Sequence, residues 1–158
     1  MYDARKYNGG AFAELNLQQS AIQSAIQSKG VSVQLAADLS KTEWKSMKFN
    51  TSGKNLLVTA AKGLGLMLDG FDGSVTNVFV ADGADGLAPT EPLAACFTPD
   101  EKSVLGGNED GTINCWDAKS GVLLRKLDGH VGPVGCVAAN PKFAQIASTC
   151  TNAALWQW

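Results

Sequence analysis

The sequence predicts an all-β protein made of repeated four-stranded units, arranged like the blades of a β-propeller. One pattern recurs at a spacing of 48 residues and aligns Phe49 with Phe97. A third copy follows at a shorter spacing, so that Trp116 is matched by Trp156, 40 residues on. Each copy contains short apolar runs joined by turns rich in Asp and Gly, which are residues that tight hairpins favour.

The middle copy shows the four strands of a unit most clearly. Its predicted strands are 93–97, 103–107, 112–117 and 122–127. Applied to the whole chain, the same pattern predicts five segments. These are the end of a preceding blade at 1–15, an insertion loop at 16–40, and blades at 41–80, 81–127 and 128–158. The last blade is expected to lack its outer strand.

The insertion is repetitive between residues 19 and 28, where the sequence reads QSAIQSAIQS. Ile22 and Ile26 can share one face of a helix, which makes a partner-binding helix one interpretation. Low complexity, little charge and the absence of a strong cap favour a mobile loop instead. The alternating residues Val31–Leu35 predict a short strand after it.

Composition excludes several functional classes. A charged fraction of 18% and a net charge of −2 argue against electrostatic binding to DNA or RNA. No apolar stretch reaches the ~20 residues that span a bilayer, and residues 1–10 carry no signal-peptide pattern. Together these features predict a soluble intracellular protein.

The four cysteines, at positions 96, 115, 136 and 150, include no C-x-x-C pair. Each lies in a short apolar run, which predicts buried free thiols in a reducing compartment. A disulfide framework is the less favoured alternative. The spacing gives no sign of a zinc or redox site.

Catalysis has little support. His130 is the only histidine, and neither a nucleophile elbow nor a P-loop is present. Gly63-Leu64-Gly65 and Gly106-Gly107 follow predicted strands, but no predicted helix follows them to offer amides to a phosphate. Residues 69–73 lack the alternating acids and distal Glu of a calcium loop. We therefore predict no catalytic residue, no cofactor and no metal.

Five lysines form a mildly basic cluster at positions 41, 45, 48, 54 and 62. Strand alternation can place several of them on one face, which would suit a phosphopeptide. An exposed, solvated strand face is the favoured interpretation. Residues 81–86, which are acidic and glycine-rich, are likewise predicted to be a solvated loop between blades.

The turn residues resemble a known family. Asn108–Asp117 resembles the end of a WD repeat, and Gly129-His130 resembles the pair that opens the next one. The chain is identified as a member of the WD-repeat β-propeller family. This resemblance implies a hydrogen-bonded tetrad that locks each blade. The matching residues are His130, Ser148, Asn152 (in place of the usual Asp) and Trp156 in the last copy, with Asp110 and Trp116 in the middle copy.

Other stretches resemble a particular branch of that family, the WD-repeat subunits of COMPASS-type histone methyltransferase complexes. They include Tyr2-Asp3-Ala4-Arg5, Asn140-Pro141-Lys142-Phe143 and residues 147–152. The resemblance implies a non-catalytic nuclear scaffold in chromatin and transcription. Its implied partners are SET-domain histone methyltransferase complex subunits, a protein phosphatase 1 complex and the RNA polymerase II C-terminal domain, with no direct binding to nucleic acid or membrane.

Three alternatives remain open from the sequence. One is a generic WD-repeat adaptor, such as a ubiquitin-ligase receptor or a trafficking scaffold. The others are a propeller hydrolase and a truncated, non-functional product. The resemblance covers the C-terminal half of a ring, and three blades leave two apolar faces uncovered. We therefore expect association through open blade edges. The sequence does not identify the partner-binding surface.

Overall fold

The computed structural model describes residues 5–11, 17, 19–28, 43–83 and 89–157 of the chain. Strands in these residues form three antiparallel sheets, in which consecutive strands are neighbours. The first sheet, blade I, contains β1 (Trp44–Phe49), β2 (Asn55–Ala60), β3 (Leu64–Asp69) and β4 (Val75–Val80). A meander of four short strands is the geometry of a propeller blade.

The other two sheets repeat this arrangement. Blade II contains β5 (Ala94–Phe97), β6 (Ser103–Gly107), β7 (Thr112–Asp117) and β8 (Leu123–Asp128). Blade III contains β9 (Cys136–Ala139), β10 (Gln145–Thr149) and β11 (Ala153–Gln157). The predicted fold class, an incomplete all-β propeller, is confirmed.

Apolar side chains on both faces of the middle strands, β2 and β3 in blade I and β6 and β7 in blade II, pack the blades against one another. Leu57 and Phe79 of blade I meet Val104 and Trp116 of blade II in one buried cluster. The rings of Phe79 and Trp116 are tilted, with their centroids 5.5 Å apart. A second cluster joins blade II to blade III. It contains Cys96, Leu105, Ile113, Cys115, Val134, Val137 and Ile146. Full burial of such side chains contributes about 1.5–3 kcal/mol each, so these two interfaces form most of the core.

Polar contacts at the strand ends fix how the blades sit together. Glu101, with a positive φ of 61°, projects from blade II into the β1–β2 turn of blade I. Its carboxylate accepts hydrogen bonds from the Ser52 backbone N–H, from Ser52 Oγ at 2.8 Å and from Asn50 Nδ2 at 3.0 Å. On the other interface, Gly111 has a φ of 87° and a Cβ there would collide with the carbonyl oxygen of His130. Glycine therefore permits the close approach of this turn to the following blade.

Within the predicted insertion loop, residues Gln19–Ser28 form a helix, α1. This corrects the loop interpretation for the part of 16–40 that the structure describes. Ile22 and Ile26, one turn apart, are buried against blade I. This contact stabilises the helix, although the low-complexity sequence alone favoured a loop. A short 3₁₀ turn covers Tyr7–Gly9. The predicted strand Val31–Leu35 and most of the segment 1–15 lie outside the described residues.

Among the residues that the structure describes, no helix combines the length and apolar character needed to cross a bilayer.

Candidate functional site

A chain of hydrogen bonds runs across blade III from its last strand to the turn that precedes it. Trp156 Nε1 donates to Ser148 Oγ at 2.7 Å, and Ser148 Oγ lies 2.6 Å from His130 Nε2. The other ring nitrogen, Nδ1, lies 3.1 Å from Cys150 Sγ. With Ser148 donating to Nε2, Nδ1 carries the proton and donates to sulfur. The structure thus brings together three residues of the predicted tetrad, namely His130, Ser148 and Trp156.

The fourth position differs from the expectation. Asn152 was expected to face the histidine, but the structure places the Cys150 thiol against Nδ1. Asn152 takes part through its backbone N–H, which donates to Cys150 Sγ at 3.4 Å. The β10–β11 turn sets this arrangement, because it points the residue directly after β10 towards the imidazole. The histidine Nδ1 therefore faces a sulfur rather than an amide.

The hydrogen-bond donors around Cys150 change its acidity. The Asn152 backbone N–H, the Thr151 hydroxyl and the His130 imidazole together lower the pKa of this thiol to about 6. Hydrogen bonds to the charged form stabilise a thiolate. All four cysteines are free thiols, as predicted. The burial prediction holds for Cys96 and Cys115, and burial raises the pKa of the Cys96 thiol to about 11. It is wrong for Cys136, which is exposed, and for Cys150, which is only partly buried.

In blade II the two predicted residues do not form a tetrad with a histidine. Trp116 pairs with Val104, as Trp156 pairs with Ile146 in blade III. Two residues beyond that partner, Gly106 stands where blade III has Ser148. A Cβ on Gly106 would lie only 2.5 Å from Cζ3 of Trp116. The indole ring therefore fills the space that a serine side chain would need.

Blade II uses a different polar network at the same end of its strands. Asn108 Oδ1 accepts from the Asp82 backbone N–H at 3.0 Å, and Asn114 Nδ2 donates to Asp82 Oδ2 at 3.1 Å. Lys126 Nζ lies 3.0 Å from that carboxylate and 3.5 Å from Asp110 Oδ2. The hydrogen bond with Asp82 raises the pKa of Lys126. Asp110 thus joins this network through its ion pair with Lys126. It also stabilises the β6–β7 turn, because the Thr112 backbone N–H and Oγ both donate to Asp110 Oδ1.

The innermost strands of the three blades line an open groove with a volume of about 460 Å³. Lys45 and Lys48 of β1 face it, together with Glu91 and the exposed Cys136. The Lys45 ammonium lies 2.5 Å from Glu43, a carboxylate whose pKa this contact lowers. Charged groups, main-chain edges and an apolar floor from residues such as Leu93 suit the binding of an extended peptide.

The remaining sequence candidates show no convergent chemistry. Lys54 lies in the β1–β2 turn and Lys62 in the β2–β3 turn, so neither joins Lys45 and Lys48 in the groove. Lys41 falls outside the described residues. Asp69 Oδ1 accepts from the backbone N–H groups of Phe71 and Asp72, which is the hydrogen bonding of a turn. Within residues 43–83, 89–157 and the shorter described segments, no group of His, Cys, Asp or Glu could hold a metal ion.

Several structural residues escaped sequence reasoning. Glu109 accepts from Thr90 N–H and Oγ and from Glu91 N–H, and so holds the chain that leads into β5. The sequence did not predict the roles of Cys150 and Asn108 either. Their position could have indicated these roles, since each residue directly follows the second strand of its blade. In both blades the residue at that position contacts the segment that precedes the blade.

Comparison with known proteins agrees with this geometry. Residues 89–117 match the family model "WD domain, G-beta repeat". The crystal structure of RRP9 WD40 repeats superposes with a TM-score of 0.63 at 17% identity, covering 74% of this chain and 36% of that one. At this identity the likeness concerns the fold alone. The fold and the blade register are those of WD-repeat proteins, and residues 89–117 carry a repeat of the WD-repeat family.

Within that family, the chain is similar to WD repeat-containing protein 82 of Drosophila melanogaster. The two are 30% identical over 158 residues, which is 99% of this chain and 43% of the relative. This chain is also 31% identical to COMPASS component SWD2 of Saccharomyces cerevisiae. That match extends over 123 residues, which is 70% of this chain and 36% of SWD2. The chain therefore spans less than half the length of either relative.

Proposed function

We propose that the chain is a non-catalytic nuclear scaffold that contributes WD-repeat blades to a COMPASS-like histone lysine methyltransferase complex. The observation that carries the proposal is the similarity to WD repeat-containing protein 82, which extends over 99% of the chain. The similarity to a protein named as a COMPASS component points to the same assembly. Association with a protein phosphatase 1 complex or with the RNA polymerase II C-terminal domain belongs to the same proposal, on the resemblance of the sequence alone.

The inner groove is the proposed contact surface. Rigid strands place Lys45 and Lys48 on one wall, and both side chains are exposed there. Two cations beside an apolar floor favour an extended segment that carries acidic or phosphorylated residues. The nearby Glu43 and Glu91 disfavour a uniformly acidic segment, so the preferred ligand has its negative charge confined to the part that lies near Lys45 and Lys48.

Affinity purification from nuclear extract tests the complex. The tagged chain is used as bait, and bound proteins are identified and quantified by mass spectrometry. We expect enrichment of SET-domain methyltransferase subunits, because a scaffold subunit remains bound to its complex. Recovery of ubiquitin-ligase or trafficking partners instead would contradict the proposal and support a generic adaptor.

A pair of variants tests the surface. Lys45→Glu with Lys48→Glu reverses two charges in the groove and should abolish the enrichment. Lys54→Glu is the control, since it changes the same type of charge in the β1–β2 turn. Equal recovery with both variants would place the contact elsewhere on the molecule.

A further inference from the structure

Helix α1 covers one face of blade I. In blades II and III the equivalent face is covered by the preceding blade. The strand register identifies equivalent positions in the three blades. Leu68 pairs with Leu56 in blade I and Trp116 with Val104 in blade II. In blade III, Trp156 pairs with Ile146. Trp116 packs against blade I. Trp156 packs against the buried cluster between blades II and III, which contains Leu105 and Ile113 of blade II. Leu68 packs in the cluster that contains Ile22 and Ile26 of α1. The helix therefore holds the place of a blade.

The sequence of α1 suits this role. Ile22 is 2% exposed and Ile26 is 0% exposed, whereas Ser20, Ser24 and Gln27 face solvent. A ten-residue helix without charged residues is marginal by itself in water, so docking on blade I is what stabilises it. Stacked repeat proteins need terminal elements with one apolar and one polar face, and α1 has both.

The opposite end of the arc has no such cover among the described residues. The pairs Leu57–Met67 in blade I and Leu105–Cys115 in blade II are buried against the next blade. The equivalent pair in blade III is Ala147–Leu155, and Leu155 is 74% exposed. The neighbouring residues Cys136 and Ala138 are exposed as well. This face has the register of a blade-binding surface and carries small or apolar side chains.

The cover that α1 provides is incomplete over β1. Trp44 is 41% exposed, Met47 66% and Phe49 60%. With Leu17, Leu56 and Leu68 they line an apolar groove of about 330 Å³. An incoming blade can make its first contacts with these bulky side chains before α1 is displaced. Exposed apolar patches of this kind mark association sites.

We propose that α1 is a self-capping element that keeps the blade III face of a second copy of this chain from packing on blade I. Without the cap, copies associate head to tail. The two contacting surfaces are different, so the assembly either closes into a ring or continues into open oligomers. Within the chain the same two kinds of face already meet twice, between blades I and II and between blades II and III.

Light scattering on the purified chain, over a range of concentrations, tests the proposal. The sequence alone predicts association through open blade edges, but with α1 docked on blade I the wild-type chain should stay near the monomer mass. Ile22→Asp with Ile26→Asp should undock α1 and raise the weight-average mass to about twice the monomer or more as concentration increases. Adding Leu155→Asp to that variant should return it to the monomer mass, because the second face is then blocked. Ala21→Asp with Ser24→Asp places the same charges on the exposed side of α1 and should change nothing.

Four results would overturn the proposal. They are a folded Ile22/Ile26 variant that stays monomeric, association that persists with Leu155→Asp, a wild-type chain that associates as strongly as the variant, and equal association of the control. Far-UV circular dichroism reports whether the strands are retained. If the double variant loses its strand signal, Ile22→Ser alone, which leaves Ile26 in place, is measured. A folded monomer in that variant at every concentration also overturns the proposal.

Discussion

Blades II and III share one strand geometry but are stabilised in different ways. Blade II is covered on both faces, and polar contacts among Asp82, Asn108, Asn114 and Lys126 join its strands. Blade III is covered on one face and relies on the hydrogen bonds from Trp156 through Ser148 to His130. The comparison indicates that blade shape depends on backbone register and interface burial. The polar set can differ between blades of the same molecule.

The largest difference between the blades should appear on truncation of apolar side chains. Trp116 is 5% exposed and packs between blades I and II, so Trp116→Ala should lower the free energy of unfolding by about 3–5 kcal/mol. Leu155→Ala in blade III should change it by less than about 0.5 kcal/mol, because that side chain is mostly solvated. Urea denaturation measures both. Similar losses for the two variants would show that the blade III face is also buried in solution.

The next effect concerns the serine of blade III. Ser148 is buried and has partners on both sides, so Ser148→Ala should cost about 1–3 kcal/mol by leaving the indole and imidazole nitrogens unpaired. Thermal or urea unfolding measures the loss. An unchanged midpoint would mean that water replaces the hydroxyl and that the hydrogen-bond chain does not stabilise the blade.

Transferring that serine to blade II should destabilise the protein. Gly106→Ser places a Cβ against the Trp116 ring and should cost about 1–3 kcal/mol through overpacking. Urea or thermal unfolding measures the loss. Gly53→Ser is not a suitable control, because Gly53 has a positive φ of 72° and a serine there would be strained. Lys54→Ala, at an exposed position in the β1–β2 turn, is a suitable reference for assay precision. A gain in stability for Gly106→Ser would show that Trp116 can move to accept a tetrad-like bond.

A smaller effect is expected from the ion pairs of blade II. Lys126 contacts two carboxylates, but its side chain is 39% exposed, so Lys126→Met should cost less than about 1 kcal/mol. The difference from the wild type should shrink as salt is added, because exposed pairs are screened. A loss that is larger and independent of salt would indicate that the pair is shielded from solvent.

The pH dependence of Cys150 should distinguish blade III chemically. Its pKa is about 6 in the folded chain, below the usual value of 9.0. The lowered value means that thiolate contacts stabilise the fold fully above pH 9, and that this contribution is lost as pH falls from 9 through 6. Alkylation of the native chain by iodoacetamide should therefore be half-maximal near pH 6 and level off above it. Cys150→Ser should remove this fast reaction and leave the alkylation of the exposed Cys136, whereas an alkylation rate at Cys150 that climbs steeply up to pH 9 would contradict the shifted pKa.

Sequence reasoning reached the strands more easily than the contacts between side chains. The four strands of blade II were predicted to within one residue, because turn residues mark their ends. The position of α1 could not be predicted, since the apolar side chains that hold it lie more than thirty residues away in the sequence. The choice of Cys150 over Asn152 depends on how the β10–β11 turn aims its first residue. A pattern of residue types does not contain that orientation.

We propose that the chain binds proteins of a histone methyltransferase complex through its inner groove. The most direct test is equilibrium binding of the purified chain to a purified SET-domain methyltransferase complex. We expect saturable binding that Lys45→Glu with Lys48→Glu weakens by about tenfold or more and that Lys54→Glu leaves unchanged. No saturable binding, or equal binding by both variants, would contradict the account.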